Sequence, residues 1–449
     1  MNRKTKAISL LSVLVLLVTL FVSPVYAGAS DIDLGYNSYS NAVYLVNMDT
    51  GRVVYEKNAD AKVYPASTTK IMSAAVALQL CHERGLDPKT TMVTVPDDIW
   101  DEFAGINISS VPLARGEILS MESLIYCMLL PSANEAASTV AAYFGRDYFI
   151  GLMNMKAQML GCTGTHFTNP HGLYDPDHYT TAKDMYKIAT WAIGVPGFYE
   201  IAQEYVYEIP ETNKNYERSV VTTIYMQNPY TDYYTPYIKG IKTGTIDESG
   251  RCLVSTAEKN GMRFMLVLMG APLETTSLIW EDSNSVFNET RQFYDLAFSG
   301  TKIVELLGDY TPVTEIPLKY GKGKDSLILY AEDNIQGLVD VDSDEDPVIT
   351  YECELPETLT APVESGQIIG KATVFADGYE VGKIDLVARE TVEFSPFSRV
   401  MGFITDVITS VPAMIIFGLL FLFAILYVYY MLVLVKKQQH RKKKSGSRQ

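Results

Sequence analysis

The sequence predicts a mixed α/β (α+β) fold. An antiparallel sheet flanked by helices is followed by a small all-β domain and a C-terminal transmembrane helix. Three observations support this expectation. Strand-like segments stand near both ends of residues 28–305, with helical segments between them. Residues 306–392 alternate short apolar stretches with Gly, Asp and Pro turns, and residues 411–435 contain no charge.

Residues 1–27 have the composition of a secretory signal. Three basic residues precede an apolar run, and small residues stand before a cleavage site at Ala27. An uncleaved N-terminal anchor is the alternative. In both cases the chain that follows is expected outside the cytoplasm.

Hydrophobic periodicity and turn residues divide residues 28–305 into elements. Two strands flank a turn at residues 49–51, and a buried helix is predicted from Ser67 to Arg84, with Gly85 at its end. Residues 86–190 are predicted to be mostly helical. The clearest helices, the later strands and the closing helix are predicted at 121–130, 134–144, 147–160, 182–193, 240–243, 252–258, 263–269 and 284–298.

The end of the chain has the composition of a membrane anchor. At about 1.5 Å per residue, residues 411–435 are long enough to cross a bilayer core of about 30 Å. A buried core helix, the alternative, fits poorly with an uncharged run that meets the basic tail 436–449. The basic tail predicts a cytoplasmic C-terminus and an outward-facing ectodomain. Residues 393–410 are predicted to form an amphipathic linker that lies at the membrane interface.

Charge and cysteine content exclude some functions. The 449 residues carry a formal net charge of −16, which argues against nucleic-acid binding through a basic surface. An odd number of cysteines leaves at least one unpaired in an exported chain, and no C-x-x-C pair occurs. We therefore predict small buried residues rather than a disulfide framework at Cys81, Cys127, Cys162, Cys252 and Cys353.

The segment Ser67-Thr68-Thr69-Lys70 carries the main chemical prediction. A serine three residues before a lysine at the start of a helix places hydroxyl and amine on the same face, one turn apart. Serine is a poor nucleophile until a base takes its proton. Lysine can be that base if burial and a second lysine, here Lys242, lower its pKa.

Two further motifs follow in order. In Ser132-Ala133-Asn134 the hydroxyl can relay a proton to a leaving amine, and the amide can hold both Lys70 and a substrate carbonyl. Helix N-capping is the alternative role for these side chains. Lys242-Thr243-Gly244 supplies a positive charge and a hydroxyl for a substrate carboxylate, and its glycine lets a peptide approach the strand edge.

Together the three motifs resemble those of the penicillin-recognising serine enzymes, the DD-peptidases and serine β-lactamases. The segment AVYLVNMDTGRVVYEKNADAKVYPASTTKIM from Ala42 resembles the low-molecular-mass penicillin-binding proteins that act as D-alanyl-D-alanine carboxypeptidases. NPHGLYDPDHYTTAKDM from Asn169 agrees, and APVESGQIIGKATVF from Ala361 resembles the β-rich domain that follows in those enzymes. The resemblance runs from about residue 40 to 390 and implies the α/β sandwich of that family.

The resemblance implies that the enzyme removes the terminal D-alanine of peptidoglycan stem pentapeptides through a Ser67 acyl-enzyme and binds β-lactams covalently. No cofactor, metal or nucleic acid is expected, and the stem peptide, β-lactams and the lipid bilayer are the expected partners. The implied catalytic residues are Ser67, Lys70, Ser132 and Asn134. The implied substrate-binding residues are Lys242, Thr243, Gly244 and Thr245, and the implied oxyanion hole consists of the backbone N–H groups of Ser67 and Thr245.

The sequence departs from the family pattern at two positions. Ala133 stands where β-lactamases usually have aspartate, and a small residue fits the carboxypeptidases better. Val286 stands where these carboxypeptidases often carry an arginine that helps to hold the terminal carboxylate. Arg251 and Arg291 are both candidates to replace it.

Three other functions remain as alternatives. A serine β-lactamase of class A needs a Glu-x-x-x-Asn segment. Glu211 and Asn215 have this spacing, which we interpret as a chance match. An inactive wall-binding protein would keep the fold without catalysis. A metallo-carboxypeptidase needs a His/Asp pattern, which the loop around His171 does not supply, so we interpret that loop as the floor of the site. The tyrosine-rich run 225–237 is expected to serve packing, with a substrate groove as the alternative.

Overall fold

The computed structural model describes residues 32–273, 285–341 and 346–445, with side chains up to 436. The predicted signal at 1–27 lies outside the described residues. The chain divides into two compact units. One comprises the chain up to Glu305 with Gln336–Val348 and Ala376–Val381, and the other comprises Leu306–Ile335, Ile349–Phe375 and the chain from Gly382 onward.

A five-stranded antiparallel sheet is the centre of the first unit, in the order β2-β1-β9-β8-β7. Its strands are β1 Ala42–Asn47, β2 Val53–Lys57, β7 Ile238–Ile246, β8 Gly250–Lys259 and β9 Met262–Ala271. Four shorter strands form two separate hairpins, β3 Met92–Thr94 with β4 Ile118–Ser120 and β5 Val206–Ile209 with β6 Arg218–Val221. The large sheet leaves β7 as an outer strand.

Alternating side chains of the sheet pack into two separate cores. On β1, Tyr44 and Val46 join one buried cluster, whereas Val43 and Leu45 join the other. Successive residues of a strand point to opposite faces, so a sheet that is apolar on both sides needs a cover on each. Six helices cover the first face: α1 Thr69–Glu83, α2 Met121–Leu129, α3 Asn134–Phe144, α4 Arg146–Met159, α5 Ala182–Ile193 and α6 Phe198–Ala202. The closing helix α7 Ser285–Gly300 covers the second.

The helical prediction for residues 86–190 is wrong over long stretches. Between α1 and α2 the chain forms the hairpin β3–β4, the 3₁₀ helix Ile99–Phe103 and loops, and residues 160–181 are also mainly loop. Buried side chains organise these loops. The carboxylate of Glu117 accepts hydrogen bonds from Thr212 Oγ1 at 2.9 Å and from Arg218 Nη2 at 2.8 Å. Such contacts are distant in sequence and leave no periodic pattern.

The second unit is built on a six-stranded sheet in the order β14-β16-β17-β12-β11-β15, as the all-β prediction requires. These strands are β11 Pro312–Lys319, β12 Ser326–Ala331, β14 Ile349–Glu354, β15 Leu359–Thr360, β16 Ile368–Ala376 and β17 Tyr379–Ala388. The strands β10 Thr301–Leu307 and β13 Ile335–Asp340 pair with each other, and most of their residues belong to the first unit.

Two helices end the chain. The amphipathic linker forms α8 Pro396–Thr409, whose start is capped by Ser395 Oγ accepting from Ser398 N at 3.1 Å. The apolar run lies in α9 Val411–Ser445. Within the described residues, Val411–Lys436 is the one stretch of helix long and apolar enough to span a membrane, with a mean hydropathy of 2.6 and no burial.

All five cysteines are free thiols. Four are buried, as predicted for small core residues, and burial raises the pKa of the Cys252 thiol to about 11. Cys353 differs, because it lies exposed on β14.

Candidate active site

Ser67 lies in the 3₁₀ turn Ala66–Thr68 rather than in α1 itself, which begins two residues later. The predicted proximity to Lys70 survives, because side chains three residues apart are also neighbours in a 3₁₀ turn. Ala66 has a φ of +47°, a region that L-residues rarely adopt. The turn is held by Thr69, whose hydroxyl donates to Ala66 O at 2.8 Å. Ser67 itself remains partly exposed.

The Lys70 amine is surrounded by oxygen atoms. Its Nζ lies 3.0 Å from Ser67 Oγ, 2.6 Å from Asn134 Oδ1 and 2.8 Å from the carbonyl of His171. Burial lowers the pKa of Lys70 well below its usual value, and the second buried lysine, Lys242, lowers it further. A lowered pKa favours the neutral amine, which donates two hydrogen bonds and accepts one. In that form Asn134 and His171 can take the two protons, which leaves the lone pair for the Ser67 hydroxyl.

The second motif points at the same place. Asn134 is the first residue of α3, and its backbone N–H donates to Ser109 O at 2.9 Å. The N-cap of α3 is Ala133, which provides no side-chain hydrogen bond, so capping is not the role of the Ser132 and Asn134 side chains. Ser132 has a φ of +69°, and its buried hydroxyl has no partner among the described residues. A ligand or an incoming group can use this hydroxyl.

A polar network beneath the site fixes His171. Its Nδ1 accepts from Leu173 N at 3.2 Å, so its proton lies on Nε2 and is donated to Glu102 Oε1 at 2.8 Å. Burial lowers the pKa of His171 to about 4 despite this carboxylate. Glu102 also accepts from Nη1 and Nη2 of the Arg146 guanidinium and from Ser138 Oγ. Burial opposes the charge of Glu102, but these donors outweigh it and hold the pKa of its carboxyl well below the usual value.

Gly172 joins this floor to the nucleophile turn. Its φ is +87°, and a Cβ atom there would lie 1.8 Å from Ala66 O and 2.8 Å from Thr69 Oγ1. Only glycine lets the two segments approach so closely. The expected loop beneath the site is therefore present. Its histidines serve as hydrogen-bonding groups within the protein, since His178 Nε2 lies 2.8 Å from Thr69 Oγ1.

The third motif lies on the outer strand β7. Lys242 is buried, its Nζ lies 3.5 Å from Thr223 Oγ1, and burial lowers its pKa to about 7. Thr243 Oγ1 also contacts Thr223 Oγ1, at 2.5 Å. A Cβ atom on Gly244 would lie 3.0 Å from Ser67 N, so glycine brings the strand against the nucleophile turn. Thr223 was missed by the sequence analysis because it belongs to none of the three motifs.

One cleft collects most of these groups. Of the predicted residues, Ser67, Ser132, Thr243, Gly244 and Thr245 line it. Lys70, Asn134 and Lys242 lie behind them and are almost fully buried. The lining also includes Tyr225 of the tyrosine-rich run, Val286 at the position of the family arginine, and Arg251, one of the two candidates to replace it. Four further lining residues were not connected with the site by the sequence analysis: Ser109, Thr223, Cys252 and Phe287.

The β-lactamase segment is not part of this cleft. Glu211 is exposed in the loop between β5 and β6, and Asn215 Nδ2 donates to Glu117 Oε2 at 2.8 Å. Neither residue lines the cleft around Ser67. The spacing from Glu211 to Asn215 is thus explained by a structural loop, and it supplies no carboxylate to activate a deacylating water.

Comparison with known proteins identifies the family of the chain. Residues 34–273 match the family model described as D-alanyl-D-alanine carboxypeptidase, and residues 304–394 match that of the penicillin-binding protein 5 C-terminal domain. The D-alanyl-D-alanine carboxypeptidase DacF of Bacillus subtilis is 27% identical over 81% of this chain and 89% of its own length. DacC of Escherichia coli is 29% identical over 81% of this chain and 87% of its own.

Solved structures agree on the fold. Penicillin-binding protein 5 of Haemophilus influenzae superposes with a TM-score of 0.62 at 24% identity, covering 80% of this chain and 98% of that one. The Streptomyces K15 DD-transpeptidase superposes with a TM-score of 0.52 at 25% identity, covering 59% and 98%. With the family model matching more than half of the residues, the chain belongs to the D-alanyl-D-alanine carboxypeptidase family of serine peptidases.

Proposed function

We propose that this protein is a membrane-anchored serine carboxypeptidase that removes the terminal D-alanine from peptidoglycan stem pentapeptides. The observation that carries the proposal is the 3.0 Å contact between Ser67 Oγ and Lys70 Nζ, made by an amine that two further acceptors hold in place. A partly exposed hydroxyl beside a buried, neutral amine is an activated nucleophile.

Acylation begins with proton transfer from Ser67 Oγ to Lys70 Nζ. The oxygen attacks the carbonyl carbon between the two terminal D-alanines and forms a tetrahedral intermediate. Backbone N–H groups of Ser67 and Thr245 are assigned to its oxyanion, and each such donor typically lowers the barrier by about 3–4 kcal/mol. The proton then passes to the leaving amine through the Ser132 hydroxyl, and D-alanine departs. Water attacks the remaining ester and releases the shortened peptide.

Substrate recognition is assigned to the outer strand β7. Strand order leaves its far edge without a neighbour in the five-stranded sheet, so an extended peptide can add to it as another strand. Gly244 keeps the approach free of a side chain, and Thr243 and Lys242 offer a hydroxyl and a positive charge. A β-lactam resembles the D-Ala-D-Ala end, acylates Ser67 and leaves slowly, as is typical of the family.

A pentapeptide assay with a fluorescent penicillin tests the proposal. The purified ectodomain should release D-alanine and should keep its penicillin label through a chase. Ser67→Ala should abolish both activities with an unchanged thermal midpoint, whereas Ser109→Ala, in the same cleft, should keep them. Rapid loss of label would indicate a β-lactamase. No labelling of the wild-type protein would indicate a wall-binding protein or a different nucleophile.

The C-terminal helix is proposed as a single-span anchor. The helix is apolar on all sides and has no buried residues in the stretch Val411–Lys436, and a basic tail follows it. The basic tail supports an extracytoplasmic position for the catalytic domain, proposed as 28–305, and for the β-domain, proposed as 306–392. The amphipathic helix α8, within the proposed linker 393–410, exposes Phe397, Phe403 and Val407 and is suited to the membrane interface.

Truncation tests the anchor. A protein ending at residue 392 should be soluble and should still bind penicillin, because neither α8 nor α9 contributes to the cleft. A tag at the C-terminus of the full chain should resist protease added outside intact cells. A digested tag, or a truncated protein that stays on membranes after signal cleavage, would contradict the single-span anchor.

A further inference from the structure

The cleft next to Ser67 holds one charged side chain. Among its described lining residues, Arg251 is charged, and the others are small, polar or apolar. Val286 and Phe287 of α7 close the same end of the cleft with apolar surface. A substrate that ends in a carboxylate needs a cation at this place, because a charge buried without a partner is strongly unfavourable.

The sheet register brings Arg251 to the substrate strand. Arg251 on β8 pairs with Thr245 on β7. Two residues further along each strand, Leu253 on β8 pairs with Thr243 on β7. Directly opposed residues of an antiparallel pair lie on one face, and residues two apart on a strand share that face. Arg251, Thr245 and Thr243 therefore form one polar row along the cleft.

The guanidinium of Arg251 is largely uncommitted. Its Nη2 makes a long contact of 3.4 Å with Leu273 O, and its buried Nε has no partner in the described part of the chain. An arginine offers five donors in a planar fork that matches a carboxylate. A buried donor without a partner among the described protein groups is accounted for by a ligand that supplies the acceptor.

The other candidate has no such freedom. Arg291 Nη2 donates to the carbonyl of Tyr233 at 2.8 Å, and its Nε donates to Thr235 Oγ1 at 3.2 Å. It is not among the residues that line the cleft. Its donors hold the segment before β7 in place, which makes it a suitable control.

We propose that Arg251 binds the C-terminal carboxylate of the substrate with its guanidinium fork, together with the hydroxyls of Thr243 and Thr245. The inference rests on the proposed carboxypeptidase function and names the residue that gives that site its preference for a free C-terminus. The cation that binds the carboxylate therefore comes from β8, whereas Val286 stands at the position of the family arginine near α7.

Paired substrates test this assignment. Pentapeptides with a free and with an amidated C-terminus should be compared in kcat/KM for the wild-type protein, Arg251→Gln, Arg251→Lys and Arg291→Gln. A hydrogen-bonded charge pair predicts that Arg251→Gln lowers the value for the free acid about 10- to 100-fold and changes the amide less than about 3-fold. Arg251→Lys, which keeps the charge and loses the fork, should fall between. Arg291→Gln should keep the wild-type ratio.

A second readout separates this inference from the carboxypeptidase function. The rate of labelling by a penicillin can be compared with that of its methyl ester, which lacks the carboxylate. If the wild-type protein labels but releases no D-alanine, the proposed function fails, and the acid-to-ester ratio still tests Arg251. An acid-to-ester or acid-to-amide ratio in folded Arg251→Gln equal to that of the wild-type protein would overturn the assignment. The assignment would also be overturned if Arg291→Gln lowered the acid-to-amide and acid-to-ester ratios as much as Arg251→Gln does.

Discussion

Lys70 on α1 and Lys242 on β7 are both fully buried beside one cleft, but their amines have different surroundings. Lys70 Nζ has three oxygen partners within 3.0 Å. Lys242 Nζ has one long contact in the described residues, with Thr223 Oγ1 at 3.5 Å. A base must be held still to act on one atom, whereas a binding group must keep donors free for its ligand. This difference supports the proposed roles, with Lys70 on α1 as the base and Lys242 on β7 as a binding group.

The largest expected effect comes from removing the base. Lys70→Ala should slow acylation by penicillin by about 10²-fold or more, because a general base acts on the barrier of the chemical step. Stopped-flow labelling separates this rate from the affinity of the initial complex. Lys89→Ala, at an exposed lysine, is the matched control. An acylation rate within a few-fold of the wild-type value would assign the base elsewhere.

Gly172→Ala should disturb the turn that carries Ser67 without changing a side chain that is proposed to react. Its Cβ would meet Ala66 O at 1.8 Å, so either the nucleophile turn or the floor must move. We expect a loss of about 3 kcal/mol or more of unfolding free energy and slower acylation. Gly161→Ala also has a positive φ, +68°, but nothing within 4 Å, and should cost about 1 kcal/mol. Equal losses in the two variants by chemical denaturation would show that no steric contact is involved.

Lys242→Met should give a smaller effect than Gly172→Ala, and of opposite sign. The folded pKa of Lys242 is about 7, below the usual value of 10.5, because of burial. Between these pH values the unfolded chain binds more protons, so the stability of the wild-type protein rises with pH. The methionine variant should therefore melt a few degrees higher at pH 7, and this advantage should vanish near pH 10.5. Its carboxypeptidase activity should fall.

Lys70→Met allows the surroundings of the two buried lysines to be compared through their effects on stability. The amine of Lys70 has polar partners that the methionine would leave unpaired, so the variant should gain less stability at pH 7 than Lys242→Met. Thermal melts of both variants at pH 7 and 10 measure the difference. A larger gain for Lys70→Met would mean that its three hydrogen bonds do not compensate for burial.

The motif residues of the proposed site could be predicted from the sequence, whereas their supports could not. The short spacing of Ser67 and Lys70 predicted their contact, and the fold brings Asn134 of the second motif to the same amine. Helix α5 was predicted to the residue, since an apolar stripe and a following glycine are local signals. Glu102 carried no signal. Its hydrogen bond to His171 joins positions 69 apart, and only the folded chain reveals it.

The partners of Lys70 have a consequence for how the protein matures. They lie 3, 64 and 101 residues away along the chain, on a turn, a helix and a loop. Contacts over such separations require the closure of long loops, which slows their formation. A partly folded chain therefore has the serine but not the oriented amine, and we expect it not to react with penicillin. Covalent capture of a penicillin is then expected to report that folding of this domain is complete, and it can be used to time that folding.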